Sequence, residues 1–484
     1  MILNHYKYNF MVGRKSQKKI MQGYLERKAS AFLAVTGRRR VGKTYLIDQM
    51  YGEHFCLRVT GIQNADTATQ INNFTQKIAE YSKFPIVTPP NNWQEVFQLL
   101  KIYLQNLPTN KKQVLFIDEL PWMVTKRSGF IQLLAHLWND HLSKEKHFIL
   151  VICGSATSWI ANKIVNDKGG FHNRLDQTIK LKPFTLKETK EFLEHKNIQL
   201  TDQAIAELYM VMGGIPYYLE KIKKGISVNQ IIAELCFDEN GILNNEYENL
   251  YKALFENSEN HEAIVGTLAT AHKGLTRKQI ISKAKVQEGG PYTRAMNDLL
   301  TSGFVEEIAP YGKEKRGAVF RLLDEYSIFY HRFIVKNKKK GKGIWMTLHS
   351  SQSYKIWTGY AFENLCLRHI SEIKYALGIA GVYTEHYSFN QRAENSTKDG
   401  YQIDLIIDRK DDTINLCECK FYNTEFPINK DYASKLRNRK QAFRETTKTK
   451  KTIFNTLITS YGAVKNQYYL DQIDVELTVS DLIK

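Results

Sequence analysis

Gly37, Arg38, Arg39, Arg40, Val41, Gly42, Lys43 and Thr44 follow an apolar run at 31–35 and precede a helical pattern that opens with Tyr45. Glycines at the two ends of such a loop let the backbone curl until its N–H groups point inward, and the following helix adds its positive end. That is a cradle for phosphates. At this spacing Lys43 reaches the β/γ-phosphates and Thr44 holds Mg²⁺, so the expected ligand is a nucleoside triphosphate.

A second apolar run, 114–117, ends in Asp118 and Glu119. This is a Walker B pattern: Asp118 joins the Mg²⁺ shell and Glu119 orients or deprotonates the attacking water. An acidic pair after a strand also serves as a helix cap, and the phosphate loop upstream is what favours the catalytic reading. The run 148–153 leads into Gly154 and Ser155, where Ser155 is either a sensor of the γ-phosphate or a capping serine. Arg174 follows, either a donor to transition-state charge, in cis or from a neighbouring subunit, or a solvated loop residue.

A third set lies near the C-terminus. Asp404 is separated by thirteen residues from Glu418, which is followed after Cys419 by Lys420. The runs 403–408 and 414–421 flank a turn at 410–412 and are expected to form a hairpin that brings Asp404 beside Glu418. Alternation along the strand puts Glu418 and Lys420 on one face and Cys417 and Cys419 on the other. Two carboxylates and a lysine suit metal-assisted phosphodiester hydrolysis, although a Glu-x-Lys strand face is also a frequent solvated pattern. The two cysteines lack a second pair at zinc-finger spacing and are expected in the core.

These sites need a scaffold. Four short apolar runs, at 55–59, 114–117, 148–153 and 178–181, alternate with helical patterns, which reads as a parallel sheet wrapped by helices. Residues 185–257 are helical, as a lid would be. Three short helices and a turn-rich segment containing Lys313, Lys315 and Arg316 then follow winged-helix order, with Arg294 on the third helix. That module either contacts DNA phosphates or packs internally. The basic run 336–343 reads as a linker, solvated or gripping a nucleic-acid backbone.

Composition sets the outer bounds. At 484 residues the chain exceeds one core, and 43% hydrophobic with 24% charged content is ordinary for a folded protein. Its 68 basic and 50 acidic side chains give +18, which favours a polyanionic partner, nucleic acid ahead of a membrane surface. Six scattered cysteines and no apolar signal core or membrane-length stretch point to a reducing cytoplasm.

The phosphate loop, Asp118, Glu119, Ser155 and Arg174 together resemble the AAA+/STAND group of P-loop ATPases, particularly the archaeal-type clade. Gly13 and Arg14 look like the Gly-Arg box of its adenine pocket, and Pro216, after Gly213 and Gly214, resembles its Gly-x-Pro lid element. The acidic residue usual after the Gly-Arg pair is replaced by Lys15, Ser16, Gln17 and Lys18. The C-terminal spacing resembles the PD-(D/E)XK nuclease superfamily, with Glu363 as its upstream metal-site glutamate and Ile403 in place of the motif's proline. The resemblances imply an α/β multidomain chain: a P-loop NTPase core with a parallel sheet (1–184), a helical lid (185–257), a winged helix (258–335), a basic linker (336–344) and a restriction-endonuclease-like α/β domain (345–484). They imply ATP and Mg²⁺ as cofactors, DNA as partner, and either a nuclease under nucleotide control or a regulatory scaffold that does not cut. Homo-oligomers or a partner protein are compatible with both.

Overall fold

β1 (Ala31–Thr36), β2 (Phe55–Thr60), β3 (Gln113–Asp118), β4 (Phe148–Gly154) and β5 (Gln177–Lys180) are the apolar runs of the first half. The computed structural model describes residues 11–166, 169–255, 257–312, 317–391 and 401–484. These five strands pair in parallel in the order β2-β3-β4-β1-β5. Every residue of β1, β3 and β4 is buried. Such runs need helices on both faces of the sheet, because neither face can meet water. On one side Phe32 packs against Trp138 and Phe171, with ring centroids 5.3 and 5.2 Å apart.

The strand order matters for chemistry. The chain leaves β1 for the far edge at β2 and returns through β3 and β4, so β1 and β3 flank β4 and present their carboxyl ends together. Ligands of open α/β sheets sit at such a reversal.

The chain divides at Lys182 and Pro183 into two units. The second begins with the helices Leu186–His195, Asp202–Met212, Pro216–Glu220, Val228–Ile232 and Ile242–Leu250. Helices Glu259–Ala269, Arg277–Ala284 and Gly290–Thr301 follow, then an antiparallel hairpin of β6 (Val305–Ile308) and β7 (Val319–Leu322). Leu275 adds a bridge to Phe320 of β7. Lys313, Lys315 and Arg316 lie outside the described residues, while Arg294 is exposed on the third helix.

In the basic run Lys336, Lys339, Lys340 and Lys342 are exposed. Lys338 pairs with Glu248 and sits 5.4 Å from the centroid of the Tyr330 ring, and Asn337 is buried. Just beyond it Trp345 is fully buried and stacks on Phe237 at 5.5 Å. Aromatic burial on both sides of the charges fastens this tract into the second unit.

The last sheet has β8 (Thr384–Gln391), β9 (Tyr401–Arg409), β10 (Thr413–Lys420), β11 (Thr452–Thr459) and β12 (Val475–Thr478), in the order β12-β11-β10-β9-β8. β8, β9 and β10 pair antiparallel, whereas β10, β11 and β12 pair in parallel. Helix Gln352–Arg368 packs on β9 and β10, and helix Lys430–Thr447 on β9 and β11. No helix among the described residues is long and apolar enough to cross a membrane.

Candidate functional sites

In the first unit, the loop after β1 makes its turn with residues whose backbone requires it. Gly37 has φ 145°, and a Cβ there would lie 2.4 Å from the Leu181 carbonyl oxygen. Gly42 has φ 87° and is the residue from which helix Lys43–Tyr51 starts. Arg40 also takes positive φ, at 71°. The Lys43 ammonium, nearly buried, donates to the carbonyls of Gly37 at 2.9 Å and Arg38 at 3.1 Å. It therefore lies across the inside of the loop. Arg38 and Val41 are buried, Arg39 is half-buried and Tyr45 is exposed.

The Thr44 hydroxyl donates to Asp118 Oδ2 at 2.9 Å. Two hard oxygens from β3 and the loop helix thus meet at one point, which fits a small cation that keeps several waters. Asp118 is anchored as well, since its Oδ1 accepts from Glu119 N–H at 3.0 Å. Glu119 stands in the left-handed region at φ 45°, and its side chain caps no helix. Instead Glu119 Oε2 accepts from both the backbone N–H and the hydroxyl of Ser155, each at 3.0 Å. Ser155, expected as either a γ-phosphate sensor or a capping serine, here contacts the Glu119 carboxylate.

Gly61 belongs to this site without any motif to reveal it. A Cβ there would come 2.6 Å from Glu119 O and 2.8 Å from Met123 N, and Gly61 N–H donates to Asp118 O at 2.9 Å. Gly13, at φ 67°, precedes Arg14, whose guanidinium donates to Lys182 O at 2.7 Å and Val41 O at 3.1 Å. Arg14 is buried, bracing the phosphate loop by its backbone. Arg174 is exposed beyond Phe171. Pro216 lies in the second unit at the first turn of helix Pro216–Glu220, beside Gly214, where a Cβ would meet Phe184 O at 2.1 Å.

In the second unit, β9 and β10 form the expected hairpin, with Leu405 across from Cys417. The same register sets Asp404 opposite Glu418, and Asp404 Oδ2 accepts from Cys419 N–H at 3.0 Å. Glu418 and Lys420 share a face and pair at 2.7 Å. Glu418 is also bonded by Tyr432 Oη at 2.5 Å and by Arg439, both from helix Lys430–Thr447. Glu363 projects from helix Gln352–Arg368 and pairs with Arg321 of β7 at 3.3 Å.

The electrostatics divide the three acids. Burial, with Glu418 and Glu363 nearby, pushes the Asp404 carboxyl up to about 7. Burial also raises Glu363, against the pull of Arg321 and Lys420. Burial would raise Glu418 too, but Arg439 and Lys420 hold it down at about 2. Lys420 loses some basicity to burial and more than regains it from Glu418.

Oxygen donors of this kind suit a hard cation, yet the arrangement does not suit one. Glu418 is already paired with Lys420 and Arg439 and Glu363 with Arg321, and no group of three or more metal-ligating side chains forms among the described residues. A divalent ion would enter a site whose charge is already balanced. Cys417 and Cys419 are buried free thiols in the core. Tyr432, Arg439 and Arg321 escaped the sequence reading: Arg439 is one cation among many on a basic helix, and nothing in β7 marks Arg321.

The family match falls on the first unit and the start of the second. Residues 11–222 match the family described as an ATPase domain predominantly from Archaea. An uncharacterized protein of Methanocaldococcus jannaschii is 25% identical over 372 residues, covering 75% of this chain and 77% of its own. Among solved structures, a Walker-type ATPase of Pyrococcus abyssi is similar at 17% identity and TM-score 0.48, covering 67% of this chain and 96% of its own. Cdc6p from Pyrobaculum aerophilum is similar at 16% identity and TM-score 0.34, with 70% and 97% covered. The chain carries an archaeal-type ATPase domain at residues 11–222.

Proposed function

We propose that this protein hydrolyses ATP and that its nucleotide state controls a C-terminal centre for Mg²⁺-dependent cleavage of DNA. For the first half of that reading the support is the meeting of Thr44, Asp118, Glu119 and Ser155 at the carboxyl ends of β3 and β4. Lys43 would bind the β/γ-phosphates, Thr44 and Asp118 would hold Mg²⁺, and Glu119 would orient the attacking water while Ser155 fixes its carboxylate. Mg²⁺, when bound, supplies charge neutralisation between the phosphates.

For the second half the support is the convergence of Asp404, Glu418, Lys420 and Glu363 from two strands and a helix. In this conformation the centre is closed by its own cations, so cleavage requires it to open. Net charge of +18 suits a polyanionic substrate. Arg294 of the three-helix and hairpin segment, which has the element order of a winged helix, is available to phosphates.

A second reading is favoured by one observation. Both oxygens of Glu418 are taken, by Lys420 and Tyr432 on one side and Arg439 on the other. A centre that never opens would make the C-terminal unit a binding scaffold within a regulatory ATPase. Incubation with linear and circular DNA, Mg²⁺ and ATP, beside Asp404→Ala and Lys43→Ala variants, separates the readings. Cleavage lost in Asp404→Ala supports the nuclease; equal behaviour of wild type and Asp404→Ala supports the scaffold.

A further inference from the structure

β2 and β3 pair in parallel, so the segments that leave their carboxyl ends run side by side in the first unit. One helix is fastened to both. Helix Thr67–Ser82 is capped by Asp66, whose side chain accepts from Thr69 N–H at 2.8 Å. Its apolar positions Ile71, Phe74 and Ile78 are buried at helical spacing. Thr67, Gln70 and Asn73 recur at every third residue and share a neighbouring face. Thr67 Oγ1 lies 2.5 Å from Thr125 Oγ1, and Asn73 Nδ2 donates to Thr60 O at 2.8 Å.

Gln70, between them, is fully buried. Its Oε1 accepts from Ile62 N–H at 3.1 Å, and its Nε2 donates to Ile62 O at 2.6 Å and to Trp122 O at 3.0 Å. Both amide hydrogens and one carbonyl lone pair are used. Pairing with both backbone groups of Ile62 also fixes which end of the amide is oxygen. An apolar side chain or an ionised carboxylate of the same length could not make all three bonds.

The residue this clamp bears on is Glu119. Trp122 N–H donates to Glu119 O at 3.0 Å and closes a turn, and Gln70 holds the far end of that turn by Trp122 O. Gly61, next to Ile62, donates to Asp118 O and packs closely on Glu119 O. Glu119 itself stands at φ 45°. A residue with a side chain keeps that conformation only where its surroundings over-determine it. Relaxation to negative φ would re-aim the carboxylate and break its two bonds from Ser155.

We infer that Gln70 is a positioning residue for ATP hydrolysis: by tying the loop after β2 to the turn after β3, it holds Glu119 in the left-handed conformation with its carboxylate on Ser155. This rests on reading Glu119 as the residue that orients the attacking water. The bonds of Gln70 go to Ile62 and Trp122 and not to the phosphate loop, so it governs turnover rather than nucleotide affinity.

The test is phosphate release beside an ATP titration, with the full-length chain, in Gln70→Met, Glu119→Gln and the double variant. Methionine keeps the length and the helix propensity while removing all three bonds. Turnover should fall about tenfold in Gln70→Met, the weight of one or two hydrogen bonds, with ATP affinity within about twofold of wild type. On the residual turnover of Glu119→Gln, Gln70→Met should cost nothing further, because the carboxylate it aims is gone. Gln70→Asn, one methylene too short to span both loops, should lower turnover by less, and it carries the test should Gln70→Met not fold. Unchanged turnover in the folded Gln70 variants overturns the inference. So does a loss of ATP affinity parallel to the loss of turnover, or a fully additive loss in the double variant, since general loosening of the fold gives both. If Glu119→Gln alone keeps wild-type turnover, the reading of Glu119 falls and the inference with it. If Glu119→Gln is impaired and the Gln70 variants are unaltered, only the role of Gln70 falls.

Discussion

Ser155 donates both its backbone N–H and its hydroxyl to one oxygen of Glu119, each at 3.0 Å. β4 delivers the serine and β3 delivers the glutamate, and the parallel pairing of the two strands makes the contact. A carboxylate held at one oxygen keeps the other for water. Glu119→Gln should therefore cut ATP turnover by about 10²–10⁴-fold, as loss of a general base does, while nucleotide still binds. Ser155→Ala removes only one of the two donors and should cost about tenfold. Phosphate release beside a nucleotide titration checks both, and a Ser155→Ala enzyme with wild-type turnover would show that the serine positions nothing.

Gly61 supplies an independent probe of the same carboxylate. Its missing side chain leaves the backbone of Glu119 and Met123 room that a methyl group would occupy. Gly61→Ala should depress turnover while leaving the loop at 37–44 untouched, so ATP affinity should move less than turnover. The measurement is the ratio of the two effects, and a variant with unaltered kinetics would mean that the β3 terminus yields freely.

His369 should make the second unit acid-sensitive. Leu186 N–H donates to His369 Nε2 at 3.0 Å, and Nδ1 lies 2.8 Å from Leu365 O, so the ring is held as the neutral tautomer with Nδ1 donating. Burial lowers its pKa from 6.5 to about 4. The unfolded chain binds the proton first, so stability is full above about pH 6.5 and falls as pH drops towards 4. On this single group the loss is on the order of 3 kcal/mol. His369→Gln should flatten the pH dependence of urea unfolding over that window; an unchanged slope would assign the acid sensitivity elsewhere.

Arg439 is the strongest structural commitment of the carboxylate centre. It is buried against Glu418, which it and Lys420 hold ionised. Arg439→Leu should destabilise the second unit by about 3–5 kcal/mol, because the carboxylate would be left buried beside one fewer cation. Combining it with Glu418→Leu should recover part of that loss. Denaturant unfolding of the two singles and the double measures the coupling, and strictly additive losses would mean that the pair is not a unit.

The sheet of the first unit was legible because its buried parallel strands are short apolar runs with chemistry at their ends. Strand β3 is six residues long, all buried, and ends in Asp118. The hairpin of β9 and β10 was legible for a related reason: its turn residues at 410–412 separate two apolar stretches, and Asp412 takes the left-handed conformation at φ 57°. Side chains that act at a distance in sequence were not legible. Gly61 acts through empty space, Arg321 through an ion pair between hairpin and helix, and Arg439 as one cation on a helix that has several. At the basic tract 336–343 the charges are visible in sequence, while the burial of Asn337 and of Trp345 beside it is not.

The most direct test of the account is Mg²⁺-dependent cleavage of DNA by the purified full-length chain, with and without ATP, in wild type, Asp404→Ala and Lys43→Ala. The account predicts cleavage by wild type, its loss in Asp404→Ala, and its escape from nucleotide control in Lys43→Ala. Indistinguishable DNA after incubation with wild type and Asp404→Ala would contradict it.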